Sequence, residues 1–151
     1  MKKSDLGQLL TEERIKHVAE VDSWQKAVEL ASDPLLQDNS IENVYVDNMK
    51  KSVVDNGPYM VLADYFALMH AKPGEGVNDL SLSMLVTDQE VNMEGTPVKI
   101  FLILAAKDNE SHIAALSQIT TILMNEEYFE IFLSGDITEI LNVINETGKE
   151  V

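Results

Sequence analysis

The sequence contains no cysteine. That absence excludes disulfides, thiolate metal sites and a cysteine nucleophile, so side-chain chemistry has to come from His17, His70, His112, the hydroxyls or the carboxylates. Basic residues are also scarce, with 11 Lys and Arg against 26 Asp and Glu and a net charge of −15. A phosphate-backbone binder needs a face rich in Lys and Arg, so nucleic acid is not expected as a partner. The acidic surface reads either as a solubility device or as a field that steers basic protein partners. Long hydrophobic runs are missing too. The longest, Ile100 to Ala106, falls far short of the roughly 18 residues that span a bilayer. The start, "MKKSDLGQLL", lacks the sustained apolar stretch and small-residue cleavage site of a signal peptide. No direct membrane insertion is expected, and the chain reads as cytoplasmic.

What remains is a chain of 151 residues, 45% hydrophobic and 25% charged. These values suit one globular domain spanning residues 1–151, with no repeat, low-complexity segment or linker. Asp22 or Ser23 can cap a helix that carries Trp24, Ala27, Val28 and Ala31 at helical spacing, and Pro34 is expected to bend or restart it. Ser40 reads as the cap of a second helix with Ile41, Val44, Tyr45, Met49 and Val53 on one face, stopped by Gly57 and Pro58. The period then changes. Segments 59–63 and 66–69 read as short strands, and Leu80, Leu82, Met84 and Val86 alternate as in a half-buried strand. After an "EGTP" turn, "VKIFLILAA" (98–106) suits a central strand covered on both faces.

Three helical stretches follow. The first is capped by Ser111 or Asn109 and presents Ile113, Leu116, Thr120 and Leu123. The second covers 125–135. The third starts at Asp136, with Glu139 three residues on, and buries Ile137, Ile140, Leu141 and Ile144 before Gly148. The order predicts an α/β single-domain sandwich, a small mixed β-sheet with helices on both faces.

His70 follows a strand directly, and His112 follows another by the short loop "KDNES". Ligands of open α/β sheets bind at the carboxyl ends of strands, so one crevice can hold both. His112 at the start of a helix meets unpaired N–H groups that favour an anion, and Lys72 reaches the same anion. An imidazole there can accept a phosphoryl group through a neutral nitrogen, with the site supplying positioning and charge stabilisation. The competing reading is a hydrogen-bonded structural histidine. His17, in "RIKHVAEV", has no such placement and is expected to be structural.

"GPYMVLADYFALMHAKPGEGV" (57–77) resembles the active-site segment of the enzyme IIA (EIIA) components of the bacterial sugar phosphotransferase system (PTS), in the mannitol/fructose superfamily. It looks most like the ascorbate-type branch, with its Gly-Pro-Tyr, its histidine followed by a small residue, a cation and proline, and its Glu-Gly-Val. The likeness extends to "SWQKAVELA" upstream and "LAAKDNESHIAAL" downstream. It implies the mannitol/fructose-type EIIA fold, a phosphotransferase with a phosphohistidine intermediate, His70 as phospho-acceptor and His112 as stabiliser of the phosphoryl group. Lys72, Asp108 and Ser111 fall to phosphate binding, with the role of Asp108 less defined. It also implies no cofactor, since the phosphoryl donor is phospho-HPr. The partners are HPr, a cognate EIIB whose cysteine takes the group and, indirectly, a membrane EIIC; a homodimer stays open.

Asp64 and Met69 stand where the family pattern has proline, and Lys72 stands where the pattern usually has arginine. Lysine keeps the charge but not the bidentate fork. Lys50 and Lys51 lie near an arginine position of the mannitol branch, and that role is not transferred to them. The departures keep a second reading open, a degenerate EIIA-like regulatory or binding module. A metal site built from His70, His112 and a carboxylate such as Asp108 is a third, without the fixed spacing of a metalloenzyme motif.

Overall fold

The computed structural model describes residues 5–149. A five-stranded sheet in the order β1-β4-β5-β3-β2 forms its middle. In chain order the elements are α1 (Leu6–Leu9), a 3-10 turn (Glu12–Arg14), β1 (Ile15–Val18), α2 (Trp24–Gln37), α3 (Asn43–Asn56), β2 (Val61–Ala63), β3 (Tyr65–Met69), β4 (Ser81–Met93), β5 (Thr96–Ala105), α4 (Ile113–Leu123), α5 (Glu126–Ser134) and α6 (Ile137–Gly148). The sheet is mixed: β1 runs parallel to β4 and β3 parallel to β5, whereas β4–β5 and β2–β3 are antiparallel.

Alternation along the central strands feeds two cores. Ala67, Met69, Leu85, Phe101 and Ile103 point to the side covered by α2 and α3. Phe66, Leu68, Met84, Ile100 and Leu102 point to the side covered by α1, α4, α5 and α6. The expected sandwich with helices on both faces is therefore the observed one. No helix among the described residues is long and apolar enough to cross a membrane.

Several local expectations are corrected. The helix starting after Ser23 does not bend or restart at Pro34 but runs on to Gln37. Pro34 sits in its last turn, and its carbonyl still accepts from the Asp38 N–H at 3.2 Å, so the lost donor costs a single rung. Ser40 is not a helix cap. It is buried, its N–H donates to the Leu35 carbonyl, and the next helix starts after Glu42. Ile41 therefore lies outside that helix, bridging to Val77, and Val44 is exposed.

The strand read as half-buried is buried at every position from Ser81 to Thr87. Its small polar residues are satisfied internally, as where the Ser83 hydroxyl donates to the Ala31 carbonyl of α2 at 2.5 Å. Neither Ser111 nor Asn109 caps α4: His112 occupies the cap position. That helix buries Ala115, Gln118, Ile119 and Ile122, leaving Ile113 exposed. A glutamine faces inward because its amide accepts from the Leu6 N–H and donates to the Ile144 carbonyl and the Thr147 hydroxyl. The last two helices start as expected, with Asn125 and Asp136 side chains accepting from Tyr128 and Glu139 N–H groups. Within α6, Val143 and Thr147 join Ile140 and Ile144 in the core, while Ile137 and Leu141 are only partly buried.

Candidate functional site

β3 delivers His70. Phe66 to Met69 are buried on both faces, and the first polar side chain after them is the half-buried imidazole. Its Nδ1 lies 2.7 Å from the Leu68 carbonyl oxygen. A carbonyl only accepts, so Nδ1 carries a proton, and in the neutral ring the Nε2 lone pair is free. The Tyr59 ring meets the imidazole edge-on, centroids 6.0 Å apart at 84°.

The ring opens onto a cleft of about 420 Å³ between the carboxyl-terminal half of α3 and the loop after β3. Charges of both signs line it. Lys51 pairs with Asp55 at 2.6 Å, and Asn48 donates to Glu75 at 3.2 Å. Lys72 is exposed on the cleft wall, and among the described residues no carboxylate lies within 4.0 Å of its ammonium group.

The loop carrying His70 is held from several sides. Its Ala71 N–H donates to the Tyr45 hydroxyl of α3 at 3.1 Å, and that hydroxyl donates to the Leu104 carbonyl of β5 at 2.6 Å. Burial pushes the Tyr45 phenol up to about 12, so the hydroxyl keeps its proton. Further on, the Gly74 N–H donates to the Ala106 carbonyl and the Gly76 carbonyl accepts from the Glu42 N–H. Gly76 has φ +78°, and a Cβ there would stand 2.7 Å from Val44 Cγ1 and 2.9 Å from the Tyr45 nitrogen. Only glycine fits.

The loop after β5 carries the other candidates. One Asp108 carboxylate oxygen accepts from the Ser111 N–H at 2.7 Å and the Glu110 N–H at 2.9 Å. These N–H groups, Ser111 first, hold the carboxyl below its usual range. The fold thus assigns Asp108 the role of shaping the turn that leads to His112. His112 is half-buried at the amino end of α4, and its Nδ1 is buried with no hydrogen-bond partner among the described residues.

β3 and β5 are adjacent and parallel, with Met69 opposite Ile103, so both histidine-bearing loops leave the same edge of the sheet. The Gly74–Ala106 hydrogen bond joins them. The cleft brings His70 and Lys72 together; Asp108, Ser111 and His112 stand on the neighbouring loop and do not line it. Among the described residues, no group of three or more His, Asp and Glu side chains is placed to hold a metal ion. His17 fits its expected structural role: its Nε2 lies 2.7 Å from an Asp88 carboxylate oxygen, and its ring packs on Gly135. Sequence reasoning missed Tyr45, Gly74 and Gly76 as parts of the site. Tyr45 was legible as a buried helix residue, but its hydroxyl contacts are tertiary.

Residues 8–147 match the family model described as "Phosphoenolpyruvate-dependent sugar phosphotransferase system, EIIA 2". The chain is 32% identical over 132 residues to the mannitol-specific cryptic phosphotransferase enzyme IIA component of Escherichia coli K12, covering 86% of this chain and 90% of that one. It is 31% identical over 139 residues to the ascorbate-specific PTS system EIIA component of Shigella boydii, covering 89% and 90%. Identities this close do not separate the mannitol and ascorbate branches. Among solved structures, that of the mannitol-specific cryptic enzyme IIA from Escherichia coli matches with a TM-score of 0.85 at 29% identity, covering 95% of this chain and 99% of that one. The family match over residues 8–147, with 32% identity across most of both chains, places this chain in the EIIA family of phosphotransfer components of the sugar phosphotransferase system.

Proposed function

We propose that this chain relays a phosphoryl group from phospho-HPr to the cysteine of a cognate EIIB, with His70 as the intermediate carrier. The observation that carries the reading is the hydrogen bond from His70 Nδ1 to the Leu68 carbonyl, which leaves Nε2 as the nucleophile in an open cleft. In the first step the Nε2 lone pair attacks phosphorus in line. The new N–P bond forms as the N–P bond to the HPr histidine breaks, and that histidine takes the electron pair. In the second step the EIIB thiolate attacks, an S–P bond forms and His70 leaves as neutral imidazole. The acceptor thiol has to be the partner's, because this chain has no cysteine.

The chain's own contribution is positioning and charge. Lys72 places a cation on the cleft wall, and His112, half-buried at the amino end of α4 on the neighbouring loop, is the residue proposed to approach the phosphoryl oxygens from that side. Phosphoprotein donor and thiol acceptor together need no cofactor. The relay runs in the cytoplasm and serves a membrane EIIC that moves a sugar or an ascorbate-like substrate, the classes named for the relatives.

The test is incubation with enzyme I, HPr and phosphoenolpyruvate. The expected product is one acid-labile, base-stable phosphoryl group on His70, absent from the His70→Ala variant. Full labelling of that variant overturns the assignment.

A further inference from the structure

The last ladder pair between β3 and β5 is Met69 with Ile103. One step beyond it, the Ala71 N–H and the Leu104 carbonyl are bridged through the Tyr45 hydroxyl, at 3.1 and 2.6 Å. In a continued parallel ladder such groups bond directly across adjacent strands. Here a side chain from α3 is inserted in the place of a rung. The two chains have to spread at that point by the width of an oxygen atom, and the residue at the spreading point is His70.

We propose that Tyr45 is a positioning residue for phosphoryl transfer: its hydroxyl, wedged between β3 and β5, turns the chain at His70 out of the ladder and into the cleft. Three features support this role over simple core packing. The phenol is 1% exposed, and both hydrogen-bonding roles of its oxygen are used on groups of the two strands that carry the candidate histidines. Ala71 is the residue next to His70, whose own Nδ1 is fixed by Leu68, so the imidazole is held by backbone on one side and by the wedge on the other. The pinned bond also lies at the mouth of the cleft that Ala71 and His70 both line. An ordinary buried phenol finds one partner for its O–H; this one joins two strand ends.

The proposal rests on His70 being the phosphoryl acceptor, and the experiment separates the two. Tyr45→Phe keeps the ring and removes the wedge. With enzyme I, HPr and phosphoenolpyruvate, the variant is expected to take up phosphate roughly tenfold or more slowly, the scale of a misplaced reacting group. Nitrogen-15 correlation spectra of the His70 ring, recorded without any phosphoryl donor, are expected to show a changed tautomer balance or titration midpoint, while the His17 ring is unchanged. Wild-type uptake rate together with an unaltered His70 ring in a folded Tyr45→Phe protein overturns the proposal. If the wild-type protein takes up no phosphate, the relay reading fails, and the ring spectra still decide the positioning claim. If Tyr45→Phe does not fold, hydrogen exchange on the wild type decides instead: a slow Ala71 amide is expected, and exchange at the rate of an exposed loop overturns the wedge.

Discussion

The loops after β3 and β5 leave the same edge of the sheet and are built in opposite ways. The first, from His70 to Val77, is tied to α3 through Tyr45, to that helix's cap residue Glu42, and to Ala106 just past β5. The second, from Lys107 to His112, closes on itself around the Asp108 carboxylate, and its histidine ends in a buried nitrogen with no partner among the described residues. The difference teaches how a relay site can divide its labour. Under the proposed relay, the His70 ring is oriented by backbone before any phosphate arrives, while the His112 ring has no such tie through its Nδ1. Leaving a buried polar atom unsatisfied costs about 1–3 kcal/mol, so such an atom is rarely retained without use.

Substitutions can break this comparison, and the largest effect is expected at Gly76. Gly76→Ala forces a Cβ against the Tyr45 nitrogen and Val44 at positive φ, and is expected to cost about 1–3 kcal/mol in urea unfolding. An unchanged midpoint would mean the tethered loop does not depend on this contact. Next comes His112→Gln. Unfolding should move little, because no protein hydrogen bond of Nδ1 is lost. The phosphoryl group on His70 should nevertheless be gained more slowly, on the order of tenfold, the scale of one lost hydrogen bond to a charged group; equal rates in a time course would separate the two loops functionally.

The smallest effect concerns pH. The folded-state pKa of Asp108 is depressed, so its contribution is present above the ordinary value of 3.8 and is lost only as pH falls through the lower folded value. In a His112→Gln background, which removes the neighbouring imidazole, the Glu110 and Ser111 amide resonances should therefore stay constant from about pH 8 to pH 5. A transition centred above pH 5 would show that these bonds do not govern the turn.

Much of this division was hidden in the sequence. The strand just before His70 and the apolar run 100–105 of β5 are visible because burial on both faces leaves no polar residue there to confuse the period. By contrast β1 went unseen: four residues with Lys16 and His17 among them carry no alternation worth reading. The buried face of α4 was misplaced because Gln118, a polar residue, defines it through three hydrogen bonds made only in the folded chain. Tyr45 fell on the correct helix face, yet nothing in one sequence says that its hydroxyl separates two strands. Gly76 stood in the sequence as part of a Glu-Gly-Val match, and its need for a missing Cβ comes from α3 packing above it.

The arrangement of strand lengths has a further effect on how the protein behaves in concentrated solution. Its outermost strands have four and three residues, whereas the two longest, of 13 and 10, are neighbours inside the sheet. Where β1 stops shielding β4, the strand bulges between Val86 and Val91 and shows Asp88, Gln89 and Glu90 to solvent. Stub edges, a kink and carboxylates make a poor template for edge-to-edge growth by another copy, which is how sheet proteins disfavour amyloid-like self-association.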